Sequence, residues 1–184
     1  MTTKPTQDEL VSARNKTVRD IIAPELQVLF CGINPGLYSA AMGHHFARPG
    51  NRFWPALYAA GFTERQFSAS EGHNLLQLGY GITNIVERAT ASAQELSSDE
   101  LITGIQHLEL KVAKYRPKMV AILGISAYRI AFSRPRAILG QQRERLSNAA
   151  IWILPNPSGL NAHYSLSDLA VQFGQLRAFA ENLH

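Results

Sequence analysis

Residues 27–36 read Gln-Val-Leu-Phe-Cys-Gly-Ile-Asn-Pro-Gly. The stretch 27–33 (QVLFCGI) is a short apolar run rich in strand formers, and Asn34-Pro35-Gly36 stops it with a tight turn. A strand with little polar alternation is one buried on both faces, as in the interior of a parallel sheet. Two further runs have the same character: 118–124 (KMVAILG) and 150–154 (AIWIL), the latter ending in Pro155-Asn156-Pro157-Ser158-Gly159.

Helical patterns fill the intervals. Ser97 and Glu100 stand at capping-box spacing, and Leu101, Ile105, Leu108 and Val112 continue as one apolar stripe that ends before Pro117. Asn51 is expected to cap a helix running to Ala60, with Pro55 tolerated in its first turn and Gly61 as the stop. A second helix is expected over about Ser70–Gln77, and 79–86 (GYGITNIV) as a loop leading into a short extended piece. A short helix is expected from Ser126. The last helix carries Leu169, Phe173, Leu176, Ala180 and Leu183 on one face.

Apolar strands alternating with amphipathic helices predict an α/β fold, a three-layer αβα sandwich with a mostly parallel central sheet. Residues 1–17 are polar and read as an N-terminal arm or frayed helix; residues 18–184 read as a single domain. Ligands collect at the carboxyl ends of strands in such sheets. If the strands ending at Ile33 and Leu154 are parallel, their loops open on the same edge, and the chemistry belongs there.

Composition narrows the partners. The chain of 184 residues is 46% hydrophobic, enough for one sizeable core. A formal charge of +4 and a pI near 9.4 favour a polyanion over a basic partner. No run is long and apolar enough for a membrane span, and the start lacks a signal-peptide core. The single cysteine, Cys31, closes no intrachain disulfide and suits a reducing, cytoplasmic setting. It also excludes a cysteine-ligated cluster or zinc site; the adjacent His44 and His45 have no partners at ligand spacing, so neither metal nor cofactor is expected. Walker and GxGxxG patterns are absent. The arginines of 134–145 read as a solvated loop, with contact to phosphates as the alternative.

The loops Gly32-Ile33-Asn34-Pro35-Gly36 and Asn156-Pro157-Ser158-Gly159-Leu160-Asn161 closely resemble the two active-site motifs of the mismatch-specific uracil/thymine DNA glycosylases. The segment 46–54 (FARPGNRFW) also looks like that family, and the similarity spans roughly residues 18–176. Each loop alone has a plainer reading. By itself GINPG reads as a strand ended by a turn and Leu160 as a loop anchor, while Phe46 is as readily a core aromatic as a stacking surface.

The resemblance implies a one-domain enzyme that flips a damaged base out of double-stranded DNA and hydrolyses its glycosidic bond. It makes Asn34 the residue that positions the attacking water, since a carboxamide holds water but cannot take its proton. Phe46 stacks on the extruded base, Ile33 and Gly36 shape the pocket floor, and Asn156 stands where related glycosylases have a histidine. Ser39 is left between a place at the pocket mouth and a loop-stabilising hydroxyl. Leu160 is the wedge that fills the vacated stack, with the backbone of Gly159 and Asn161 facing the unpaired guanine and Ser158 at a phosphate. Some family members carry an arginine just after the wedge; here the place of that basic grip falls to His163. Asn84, in Gly81-Ile82-Thr83-Asn84, is a further pocket or phosphate candidate.

The expected reaction is excision of uracil, with thymine and etheno-cytosine as further candidates, opposite guanine, by a monomer. Two other classes stay open at this level. One is a mismatch-binding module on the same fold with little catalysis; the other is a small-molecule protein on a flavodoxin-like sheet. Salt-dependent affinity for duplex DNA separates the last from the first two.

Overall fold

A computed structural model describes residues 4–183. Its centre is a five-stranded sheet of order β2-β1-β3-β5-β4. The strands are β1 (Val28–Gly32), β2 (Tyr80–Asn84), β3 (Met119–Leu123), β4 (Gly140–Leu146) and β5 (Ala149–Leu154). β2, β1, β3 and β5 run parallel, and β4 pairs antiparallel with β5 at one edge. The helices are α1 (Gln7–Ser12), α2 (Leu37–Met42), α3 (Phe53–Ala59), α4 (Ser98–Tyr115), α5 (Ile125–Ala131) and α6 (Leu166–Glu181).

Period-two alternation along the strands divides the core into two layers. Phe30, Met119, Ala121 and Trp152 face α3 and α6, whose Phe53, Leu57, Phe173 and Leu176 complete that half. Leu29, Cys31, Val120, Ile122 and Ile151 face α4 and α5. The stripe Leu101, Ile105, Leu108 and Val112 is buried there, and each such side chain contributes about 1.5–3 kcal/mol by leaving water. α4 begins at the expected capping box of Ser97 and Glu100. The three-layer αβα architecture is therefore the one expected from the alternation of runs.

Local differences have local causes. The second helix is a 3-10 segment over Ala69–Leu78, and 80–84 is a full strand rather than a loop with an extended end. α3 starts at Phe53 because Asn51 Oδ1 accepts from the Phe53 amide at 2.9 Å, two residues along. Leu183 lies just past the end of α6. The arginine run read as a solvated loop overlaps β4. An edge strand keeps its free backbone from other chains by carrying charge, so Arg143, Glu144 and Arg145 disguise it.

Within residues 1–17, described from residue 4, Gln7–Ser12 form a helix capped by Thr6. Beyond it, Ala13 is fully buried with Val18, Ala40 and Ala89. The Asn15 amide donates to Ala89 O at 3.0 Å, and the Ala89 amide to Lys16 O at 2.8 Å. This segment is thereby joined to residues 88–95, which flank the cleft described next.

Candidate active site

The carboxyl ends of β1, β3 and β5 open into a cleft of about 540 Å³. Both turn motifs contribute to it. Ile33, Asn34, Gly36, Ser39, Phe46, Asn156, Ser158, Leu160, Asn161 and His163 all line it; Gly159 does not. Gly159 instead lies on the backbone of Gly50, where an added Cβ would come within 2.5 Å of Gly50 O.

Asn34 is held by its nitrogen. Nδ2 donates to Arg88 O at 3.0 Å and to Thr90 Oγ1 at 2.7 Å. The Thr90 hydroxyl donates onward to Ser92 O at 2.8 Å, so its lone pair is turned to Asn34. Since two acceptors occupy Nδ2, the amide cannot be flipped without facing oxygen with oxygen. Oδ1 is the end left as an acceptor at the cleft. Thr90 is 1% exposed, and its amide donates to Pro35 O at 3.2 Å, which ties the clamp to the turn it serves. Neither Arg88 nor Thr90 stood out in the sequence, and nothing in a lone Thr marks such a role.

Phe46 adopts a left-handed backbone conformation at φ 54°. Its ring stacks on Phe53 with centroids 4.1 Å apart and planes at 27°. One face is thus spent on the core. Ser39 Oγ accepts from the Ala47 amide at 3.1 Å, so Ser39 both lines the cleft and pins the chain beside Phe46. A Cβ on Gly36 would meet nothing within 4 Å, leaving that room to the cleft.

At the end of β2, Asn84 is 6% exposed. His45 Nε2 lies 2.9 Å from Arg19 O; a carbonyl only accepts, so Nε2 carries the proton and Nδ1 is an acceptor. Asn84 Nδ2 lies 3.5 Å from that Nδ1, which turns Oδ1 toward Gly32. A Cβ at Gly32 would sit 2.5 Å from this oxygen and 3.3 Å from Phe46 Cζ. The first glycine of the GINPG motif is therefore required by two side chains of the cleft. The two histidines share no ligand geometry, and among the described residues no group of three or more His, Cys, Asp or Glu is placed to hold a metal.

Burial pushes the His45 imidazolium below its ordinary 6.5, against the opposing pull of the Arg19 carbonyl and the more distant Asp20; His44 and His73 add to the lowering. The sign follows from linkage. Below pH 6.5 the unfolded chain binds a proton that native His45 resists, so stability is full above that pH and falls as pH decreases. The expected loss is at most about 1.4 kcal/mol per pH unit from this one group. Thermal unfolding midpoints of wild type and His45→Gln between pH 7.5 and 5 check it: the wild-type decline should be the steeper.

The second loop is braced as a unit. The Ser158 amide donates to Asn156 Oδ1 at 2.9 Å, and Asn161 Nδ2 to Asn156 O at 3.0 Å. Arg52 holds it from outside: its amide donates to Pro157 O at 2.9 Å. The guanidinium donates to Ser158 O at 2.6 Å, to Asn161 O at 2.8 Å and to Tyr164 O. At the tip, Leu160 is 76% exposed. A large aliphatic side chain held out by a fixed turn contradicts the plainer reading of Leu160 as an inward loop anchor.

The lining of the cleft is also free of acid. No Asp or Glu occurs in residues 27–63, 124–143 or 155–167, which supply most of the cleft and its rim. A family model of the uracil DNA glycosylase superfamily matches residues 19–177. The chain belongs to the uracil DNA glycosylase superfamily.

The family's partner is DNA, and its chemistry is base excision of the uracil-glycosylase type, a hydrolase reaction. In fold the chain is similar to the solution NMR structure of a Methanosarcina acetivorans protein provisionally assigned as a uracil DNA glycosylase. The match has a TM-score of 0.56 at 15% identity and covers 89% of this chain and 98% of the other. At that identity the likeness establishes the shared architecture alone. Among the described residues no helix is long and apolar enough to cross a membrane.

Proposed function

We propose that this member of the superfamily is a monofunctional, mismatch-directed glycosylase of base excision repair. Its substrate is uracil opposite guanine, with thymine and etheno-cytosine as further bases for the same pocket. The observation that supports this reading is the cleft-lining Asn34, clamped through Nδ2 so that Oδ1 is left as the acceptor. An acid or imidazole at that place would signal a different economy of catalysis.

In this reading the base enters the cleft and stacks on the free face of Phe46. Asn84 Oδ1 accepts from a donor on the base edge, such as the N3–H of uracil. The C1′–N1 bond breaks, and its electron pair leaves with the base while the sugar becomes oxocarbenium-like. A water donating to Asn34 Oδ1 attacks C1′ through its oxygen. Its released proton passes to solvent, and the base anion is reprotonated, leaving an abasic site. Without a general base the water is a weak nucleophile, so positioning carries the rate. Leu160 fills the vacated stack, Ser158 meets a phosphate, and the backbone of Gly159 and Asn161 faces the widowed guanine.

Reliance on a wedge and a loosened pair predicts a preference. Single-turnover release from duplexes with uracil opposite guanine should exceed that from uracil opposite adenine by at least tenfold, a difference of about 1.4 kcal/mol in barrier. Equal rates on the two duplexes would defeat the mismatch-directed reading. Release from neither, with duplex affinity retained, would leave a binding module.

A further inference from the structure

The rim of the cleft has a second projecting loop. Residues 133–139 connect α5 to β4, and Leu139 lines the cleft. Gly140 pairs with Ile153, near the carboxyl end of β5. The loop therefore stands beside the one that carries Leu160, on the same edge of the sheet.

It is built to project. Arg129 donates through Nε and Nη2 to Ala137 O, at 3.0 and 2.7 Å. Gln142 Nε2 donates to Ile138 O at 2.8 Å and to Gly140 O at 2.9 Å. Three carbonyls of one short segment are thus held by side chains from its two flanking elements. What this bracing presents is Ile138, 72% exposed, beside exposed Arg134 and Arg136. Arg134 is paired with Glu144 at 3.3 Å. Arg136 has no carboxylate partner among the described residues.

We infer that this loop is a second DNA contact, in which Arg136 meets a backbone phosphate and Ile138 packs on the deoxyribose next to it. The inference rests on the reading of the cleft as the site of a DNA glycosylase. Charge selects the occupant: residues 133–139 carry two arginines and no acid, and with Arg134 offset by Glu144 it is Arg136 that is left to meet a polyanion. Geometry fits a duplex as well. From β1, which leads to Asn34, to β4 is three strand spacings, about 14 Å. That corresponds to about four nucleotides along one strand at 3.4 Å each. The contact would therefore hold the duplex away from the flipped nucleotide, and read no sequence.

The test is equilibrium binding of a fluorescently labelled undamaged duplex across a salt series, with wild type, Arg136→Glu, Ile138→Ala and Arg145→Glu. Arg145 lies at the far end of β4, paired with Ala150, and serves as the charge-matched control. Arg136→Glu should weaken binding about tenfold at 0.1 M salt and flatten the plot of log K against log salt by about one unit. Ile138→Ala should weaken binding several-fold with the slope kept. Affinities and slopes equal to those of Arg145→Glu would overturn the inference. Base release measured on the wild type separates the two readings. A wild type that releases no base, with Arg136→Glu still weakened, would keep this contact and sink the catalytic proposal. Normal base release with unaltered Arg136→Glu binding would do the reverse.

Discussion

Asn34→Ala is expected to slow base release from a uracil–guanine duplex by about 10²–10³-fold, the cost typical of losing one preorganised polar contact at a reacting centre. Duplex affinity should stay within about threefold, because Asn34 is neither charged nor on the projecting loops. The change removes the water's acceptor and leaves Arg88 O and Thr90 Oγ1 without their donor. Single-turnover rates at saturating enzyme, with binding measured separately, check the split. A variant that retains wild-type rate would move the water to another group.

Asn34→Asp sharpens the same point. A carboxylate is chemically able to act as a general base, yet its second oxygen would face the Arg88 carbonyl where Nδ2 now donates. That repulsion raises its pKa or rotates it away, so no gain over wild type is expected. The clamp is built for an amide. Nothing in residues 32–36 announces this, since the partners lie 54 and 56 positions further along the chain.

The second large effect is expected at Arg52. Arg52→Met strips three carbonyls of the wedge loop of a charged donor. Bonds of this kind contribute about 1.5–3 kcal/mol each, and partial access of water to the freed oxygens brings the expected loss of stability to about 2–4 kcal/mol. Loosening the loop by an ångström is expected to cost about 100-fold in single-turnover rate on the uracil–guanine duplex. Arg52→Lys should recover little, because an ammonium cannot reach three divergent carbonyls at once. Thermal unfolding and rates taken well below the transition distinguish the two effects. Normal rates in a destabilised Arg52→Met protein would reduce Arg52 to a structural brace.

Arg52 also illustrates how far a sequence reading reaches. It stands in the 46–54 segment with nothing local to mark its role, and its guanidinium is occupied by the chain itself. Its nearest partner in sequence is 106 residues away. His45 and Asn84 follow the same pattern: adjacent histidines suggest a metal question, whereas the fold buries one of them to orient an amide from another strand. The arginines of 134–145 conceal a strand for the opposite reason, since an edge strand and a solvated loop expose similar side chains.

Features that depend on neighbours along the chain are legible in the sequence. Strands buried on both faces must be apolar throughout, so β1, β3 and β5 were visible as runs; α4 was visible through its capping box and stripe. The turns at Asn34-Pro35-Gly36 and Asn156-Pro157-Ser158-Gly159 were visible because proline and glycine end strands by local sterics. Contacts between distant segments decide which end of the Asn34 amide is held, that one face of Phe46 packs on Phe53, and that the Arg52 guanidinium braces a loop. Those outcomes depend on hydrogen-bond partners and packing surfaces brought together from distant segments, and each donor or ring face can be spent only once.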